Sequence, residues 1–204
     1  MSTLGTLYII SAPSGGGKTS LVSALLDSVQ NLEASVSYTT RTPRPGEKDG
    51  IDYHFVSEQH FHALIQNHAL LEHATVFGHA YGTSQDWVFK KIAAGTDVIL
   101  EIDWQGAQQI KKKIAEAIGI FIIPPSWSIL DERLHRRAQD NEQVIARRMA
   151  DAKAELIHYP EYDYLILNDN FANALADLSA ILRVRRLSSR IQAETLAPLL
   201  SSLL

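Results

Sequence analysis

Leu7-Tyr8-Ile9-Ile10-Ser11-Ala12-Pro13-Ser14-Gly15-Gly16-Gly17-Lys18-Thr19 is the stretch on which the fold turns. Its four leading apolar residues read as a buried strand. Lys18 opens a helix to about Leu26, and three glycines lie between the two. Strand, glycine-rich turn and helix in that order are the setting a Walker A phosphate loop requires. Glycines let the backbone wrap an anion with its N–H groups pointing inward and no side chain in the way. The helix aims its positive N-terminus at the same point. Lys18 supplies a point charge for the outer phosphates, and Thr19 a hydroxyl for Mg²⁺. Ala12 departs from the pattern, whose first position is glycine, but a position with no demand for positive φ accepts alanine. The loop predicts a nucleoside triphosphate and leaves its phosphate acceptor open.

Outward from the loop, short apolar runs alternate with helical patterns. Val98–Ile102 reads as a second buried strand, followed by a helix that Gly119 closes. Ile120–Ile123 is a third, stopped by Pro124-Pro125. Tyr164–Leu167 is a fourth, leading into a helix from about Ala172 to Arg190. Strands separated by helices imply a parallel sheet covered on both faces. The expectation is an α/β fold with a five-stranded parallel sheet of the P-loop type, built from 1–34, 85–127 and 160–204. Residues 35–84 break the alternation with shorter, more aromatic patterns, punctuated by Pro43, Pro45, Gly46 and Gly50. They are expected to form an inserted lobe with its own strands and a helix near Glu58–Asn67. Residues 128–159 are helical, polar and arginine-rich, and read as a lid.

Composition bounds the function. A chain of 204 residues buries one core with small insertions. No apolar run reaches the roughly 18 residues of a membrane span, and the N-terminus carries no basic export signal. With no cysteine, disulfides, thiolate zinc sites and cysteine nucleophiles are excluded, and the cytoplasm is expected. A net charge of −4 speaks against a general nucleic-acid binder. Arg183, Arg185, Arg186 and Arg190 read as a solvated helix face. His60 and His62 lack the spacing of a helical zinc pair. The apolar ending, from Leu196 to Leu204, suits docking on the chain's own surface or on a partner subunit, so a homo-oligomer stays open.

The acceptor is written in the inserted lobe. Ser37-Tyr38-Thr39-Thr40-Arg41-Thr42-Pro43-Arg44-Pro45-Gly46-Glu47 sets two arginines three apart on a stiff segment. Fixed guanidinium forks suit a phosphate, to which each can make two charge-assisted bonds. Asp52-Tyr53, Glu72, Tyr81-Gly82-Thr83 and Glu101-Ile102-Asp103-Trp104-Gln105-Gly106 follow. Together with the phosphate loop, these segments closely resemble the guanylate kinase family, from the first strand to Asn168 and loosely beyond. The resemblance implies ATP and GMP as small-molecule substrates, with Mg²⁺, in purine nucleotide metabolism. It implies that Arg41, Arg44, Tyr53 and Tyr81 hold the GMP phosphate. Ser37, Glu72, Thr83 and Asp103 would read the guanine; Thr83 stands where the family often has serine. The chemistry agrees: a carboxylate accepts from guanine N1–H and N2–H₂, whereas adenine would leave a buried charge unpaired.

The lid sequence from Glu132 to Met149 resembles the family's lid, with Ala138 where the family has glycine. Arg137 and Arg148 align with arginines that close on the ATP phosphates, and Arg133 is a third. Which of Arg136 or Arg137, and of Arg147 or Arg148, faces inward stays open. The donor set is then residues 12–20 (Ala12, Pro13, Ser14, Gly15, Gly16, Gly17, Lys18, Thr19 and Ser20), with Arg133 at the phosphates and Asn168 beside the adenine. Glu101 stands on the acceptor side and helps to place Mg²⁺ through water. Lys18, Arg41, Arg137 and Arg148 are the catalytic set, because transfer to an anionic oxygen needs alignment and charge neutralisation rather than a base. Two rivals differ in class or acceptor: a non-catalytic module of the same fold that binds a protein, and a kinase for another nucleoside monophosphate.

Overall fold

The computed structural model describes residues 4–136 and 142–204, the side chains of 142 and 143 excepted. Among them, β1 (Leu7–Ser11) leads through the phosphate loop into α1 (Lys18–Ser28) and then the short strand β2 (Leu32–Ala34). A second region follows: β3 (Tyr38–Thr39), β4 (His54–Phe55), α2 (Glu58–Gln66), β5 (Leu70–Val76) and β6 (His79–Ser84). The chain returns by α3 (Gln85–Ala93) to β7 (Asp97–Glu101), α4 (Trp104–Lys113) and β8 (Ile118–Ile123). Helices α5 (Trp127–Arg136) and α6 (Glu142–Leu156) precede β9 (Tyr164–Leu167), α7 (Phe171–Arg186), α8 (Ser189–Thr195) and α9 (Ala197–Leu203).

Five strands form one parallel sheet in the order β2-β7-β1-β8-β9. β1 is central and every one of its residues is buried, as a strand covered on both faces requires. The period of two along it divides the core in two. Tyr8 and Ile10 join Leu21, Leu25, Leu178 and Leu182 on the α1/α7 face. Leu7 and Ile9 join Val88, Ala107 and Ile110 on the α3/α4 face. Full burial of each large aliphatic side chain contributes about 1.5–3 kcal/mol, so these two layers fix β1 and, with it, the loop at its end.

The fifth strand is β2, a three-residue edge strand on β7. Two boundaries differ from the sequence reading. Gly119 does not end α4, which stops at Lys113 with Ile114 as its cap. Gly119 lies inside β8, buried, where a Cβ would stand 3.1 Å from the Tyr162 ring; it is small for packing, not for a turn. The long C-terminal helix divides after Arg186, whose guanidinium turns back onto Asp97 (2.8 Å) and the carbonyls of Gln30 and Asn31. Arg190 likewise grips the Glu116 carboxylate with both ends of its fork, and Arg185 comes within 4.0 Å of the same group, while Arg183 is exposed.

The second sheet runs β4-β3-β6-β5, with β3–β4 parallel and the other pairs antiparallel. β5 and β6 turn at Phe77-Gly78, both at positive φ (52° and 82°), the geometry of a tight two-residue hairpin. A register shift between Leu70 and Glu72 re-aims the strand. Leu71 enters the α3/α4 core while Glu72 is buried beside β6.

Candidate active site

Two glycines give the phosphate loop its shape. Gly15 (φ 86°) and Gly17 (φ 90°) are left-handed, a conformation costly for other residues, and Gly16 N–H donates to the Pro13 carbonyl at 2.8 Å. Ala12 is not among the positive-φ residues, so its Cβ costs the loop nothing there. Side chains then close around the loop. Asn168, buried at the end of β9, donates from Nδ2 to the Gly16 carbonyl at 2.9 Å, and a Cβ on Gly17 would overlap that amide. Leu130 and Leu134 of α5 lie against Gly15. Arg133, on the same helix, donates to the Asn168 carbonyl at 3.0 Å, while its buried Nη1 has no partner. Arg133 and Asn168 line a hollow on the outer side of the loop with Ser20, Arg136 and Phe171.

The inner side opens on a second cavity. It brings residues 12–19 together with Ser37, Arg41, Arg44, Tyr53, Glu72, Tyr81, Glu101, Asp103 and Arg148. Thr83 does not reach it. Thr83 is fully buried and spends its hydroxyl on Glu72 Oε1 at 2.6 Å. Arg137 lies outside the described residues. Of the adjacent arginines on α6, Arg147 is exposed and faces Asp151, whereas Arg148 lines the cavity with its guanidinium 6.0 Å from the Phe77 ring. Arg136 is exposed and pairs with Glu132 one turn back.

Glu72 is 2% exposed. Burial pushes its carboxyl up to about 7, with the nearby Asp103 adding to the rise and the Thr83 hydroxyl opposing it. Room for it exists because residue 106 is glycine: a Cβ there would meet Glu72 Oε2 at 2.5 Å. Asp103 caps α4 through Oδ1 to Gly106 N (3.0 Å), and its Oδ2 accepts from Gln105 (2.9 Å). A carboxyl kept from water, with one oxygen held by a hydroxyl, is a strong acceptor for a ligand that brings its own N–H donors.

Arg41 is pinned rather than loose. Glu47 grips it with both oxygens (2.7 and 2.9 Å) and also accepts Arg44 N–H at 2.7 Å. Arg41 lies over the Tyr53 and Phe55 rings, 5.3 and 5.7 Å from their centroids. Tyr53 meets Tyr81 edge to face. Bonding to Arg41, then to the Arg44 backbone, holds the Glu47 carboxyl below the usual range despite partial burial. Sequence reasoning assigned no role to Glu47, although its place in the Pro-Gly loop beside both arginines was a usable signal. It also missed Glu155 of α6, whose Oε2 accepts Ser14 N–H at 3.1 Å.

For a divalent ion, Thr19 is exposed on the first turn of α1 and Glu101 ends β7 on the same cavity. A hydroxyl and a carboxylate on one cavity, together with phosphate oxygens, are the hard-oxygen donors that Mg²⁺ takes, so the residue types fit it. Among the described residues no cluster of three or more His, Cys, Asp or Glu side chains could hold a metal unaided.

A phosphate loop, an opposed arginine and a buried carboxylate around one cavity define a P-loop phosphotransferase that acts on a small base-bearing acceptor. The guanylate kinase family model matches residues 4–185. A guanylate kinase of Saccharophagus degradans is 54% identical over 204 residues, covering both chains fully. One of Hahella chejuensis is 56% identical over 188 residues, 92% of this chain and 90% of its own. The crystal structure of guanylate kinase from Anaplasma phagocytophilum superposes with a TM-score of 0.78 at 33% identity, covering 92% of this chain and 89% of that one. The chain belongs to the guanylate kinase family. No helix among the described residues is long and apolar enough to cross a membrane.

Proposed function

We propose that the chain transfers the γ-phosphoryl group of ATP to GMP, and to dGMP, as a cytoplasmic step of purine nucleotide metabolism. The observation that carries this reading is the buried Glu72 carboxyl on the same cavity as the phosphate loop. Guanine offers N1–H and N2–H₂ side by side, and a carboxylate accepts both. Adenine offers a lone pair at N1 and would leave the charge unpaired in a buried site. Ser37 donates to O6, Asp103 stands beside the base edge, and Thr83 acts from behind by orienting Glu72.

Arg41, Arg44, Tyr53 and Tyr81 hold the acceptor phosphate, with Glu47 fixing the plane of the Arg41 fork. The loop amides and Lys18 hold the donor phosphates from the other side, and Arg133 and Asn168 stand at the nucleoside end. Arg148, with Arg137, brings positive charge to the transferring group, because two anions meet there. Held by Thr19, with Glu101 acting through water, Mg²⁺ would supply further neutralisation of the donor phosphates. The acceptor oxygen is already anionic, so no side chain need take a proton. Alignment and a water-poor cavity do the catalysis. Coupled ADP-release assays with GMP, dGMP, AMP, UMP and CMP test the proposal: turnover is expected on the guanine nucleotides, and equal turnover on AMP contradicts it.

A further inference from the structure

Helix α6 turns one stripe inward. Ile145 and Ala152 are buried at 4% and 0%, and Arg148 and Glu155 fall on the same face at helical spacing. Both line the central cavity. At one end of this stripe Arg148 lies against Phe77, the tip of the β5–β6 hairpin. At the other, Glu155 Oε2 accepts the Ser14 N–H of the phosphate loop at 3.1 Å. One helix face therefore spans from the acceptor-side hairpin to the donor loop, and Glu155 is its fastening at the loop.

We propose that Glu155 is a positioning residue for phosphoryl transfer, whose bond to Ser14 N–H fixes α6 against the phosphate loop and so holds Arg148 in the cavity. The inference rests on the activity proposed above. A surface glutamate would not be placed this way. Burial pushes the Glu155 carboxyl up to about 7; the Ser14 N–H and Lys18 draw it down, while Asp103 and Asp151 push it further up. Such a site retains a carboxyl at the cost of its desolvation, and the bond across the sequence from residue 155 to residue 14 is what it gains.

Reach and charge separate in two variants. Glu155→Gln keeps the reach and an acceptor oxygen; Glu155→Asp keeps the charge but falls one methylene short. We expect Glu155→Ala and Glu155→Asp to lower kcat on GMP by about 10–100-fold, the scale of a misplaced catalytic group. Glu155→Gln should recover kcat to within about threefold of wild type, with KM for GMP within about twofold in all three. Because Glu155 acts through Arg148, Glu155→Ala should cost less than about threefold in an Arg148→Ala background. A merely structural residue would add its full loss there. That additive result overturns the proposal, as does an active aspartate variant beside an inactive glutamine one, or wild-type kcat in Glu155→Ala. If the alanine variant does not fold, the order of aspartate and glutamine decides alone. A wild-type chain that releases no ADP with GMP would instead remove the proposed activity itself.

Discussion

Thr83 Oγ1 donates to Glu72 Oε1 at 2.6 Å, and both residues are buried. The bond occupies one carboxyl oxygen and turns the group in its plane, leaving the rest of its acceptor capacity to a ligand. Its consequence is a pH dependence. The free Glu72 carboxyl is pushed up to about 7 by burial, while guanine's two N–H donors favour the ionised form. Binding of GMP should therefore release a proton below about pH 7. Calorimetry at pH 6.8 in buffers of different ionisation enthalpy should detect it, and Glu72→Gln should abolish that part of the release. In the folded chain the raised value means a proton is held that the unfolded chain has already lost. Stability of the ligand-free protein should fall as pH rises from about 4.5 to about 7 and level off above. Glu72→Gln should flatten the curve by a few degrees of Tm.

Gly106→Ala probes the same carboxyl from the other side. The added methyl would press on Glu72 Oε2 at 2.5 Å, while alanine is the better helix former by about 1 kcal/mol. KM for GMP should rise by about tenfold with KM for ATP unchanged and Tm not lowered. Steady-state kinetics with each substrate varied in turn checks this.

Glu47→Ala removes the clamp on Arg41. A charged pair of bonds of this kind is worth about 1.5–3 kcal/mol at a mostly shielded site. The guanidinium loses its fixed plane over Tyr53, and KM for GMP should rise by about 10-fold or more, measured in the same assay.

Gly17→Ala places a methyl group on the Asn168 amide, at a φ of 90° that alanine resists. The Asn168–Gly16 bond should break and the loop deform. Nucleotide binding, followed by titration with ATP, should weaken by at least about tenfold, and Tm should fall.

Much of this was legible in the sequence where chemistry is local. Four strands of the main sheet announce themselves as apolar runs, because both faces of a parallel sheet are covered. The loop shows itself by its glycines. β2 did not, since three residues with one well-buried leucine carry no period. Gly119 misled because glycine serves close packing as well as helix endings. Around the cavity, Arg41, Tyr53, Glu72, Tyr81 and Asp103 come from separate segments with no pattern joining them, and only the family resemblance assembled them beforehand. Arg147 and Arg148 differ by about 100° around a helix, and the phase is set by Ile145 and Ala152, whose burial belongs to the fold. Glu155 reaches Ser14 across 141 residues, a contact no local reading contains.

The central claim, that a buried carboxylate selects guanine as phosphoryl acceptor, is tested most directly by one ratio. It is kcat/KM for GMP over that for AMP, measured by ADP release in the wild type and in Glu72→Gln. The wild-type ratio should exceed about 10³, and the glutamine, which replaces one acceptor oxygen with a donor, should lower it by at least about 30-fold. A Glu72→Gln variant that keeps the full wild-type preference for GMP would contradict the account.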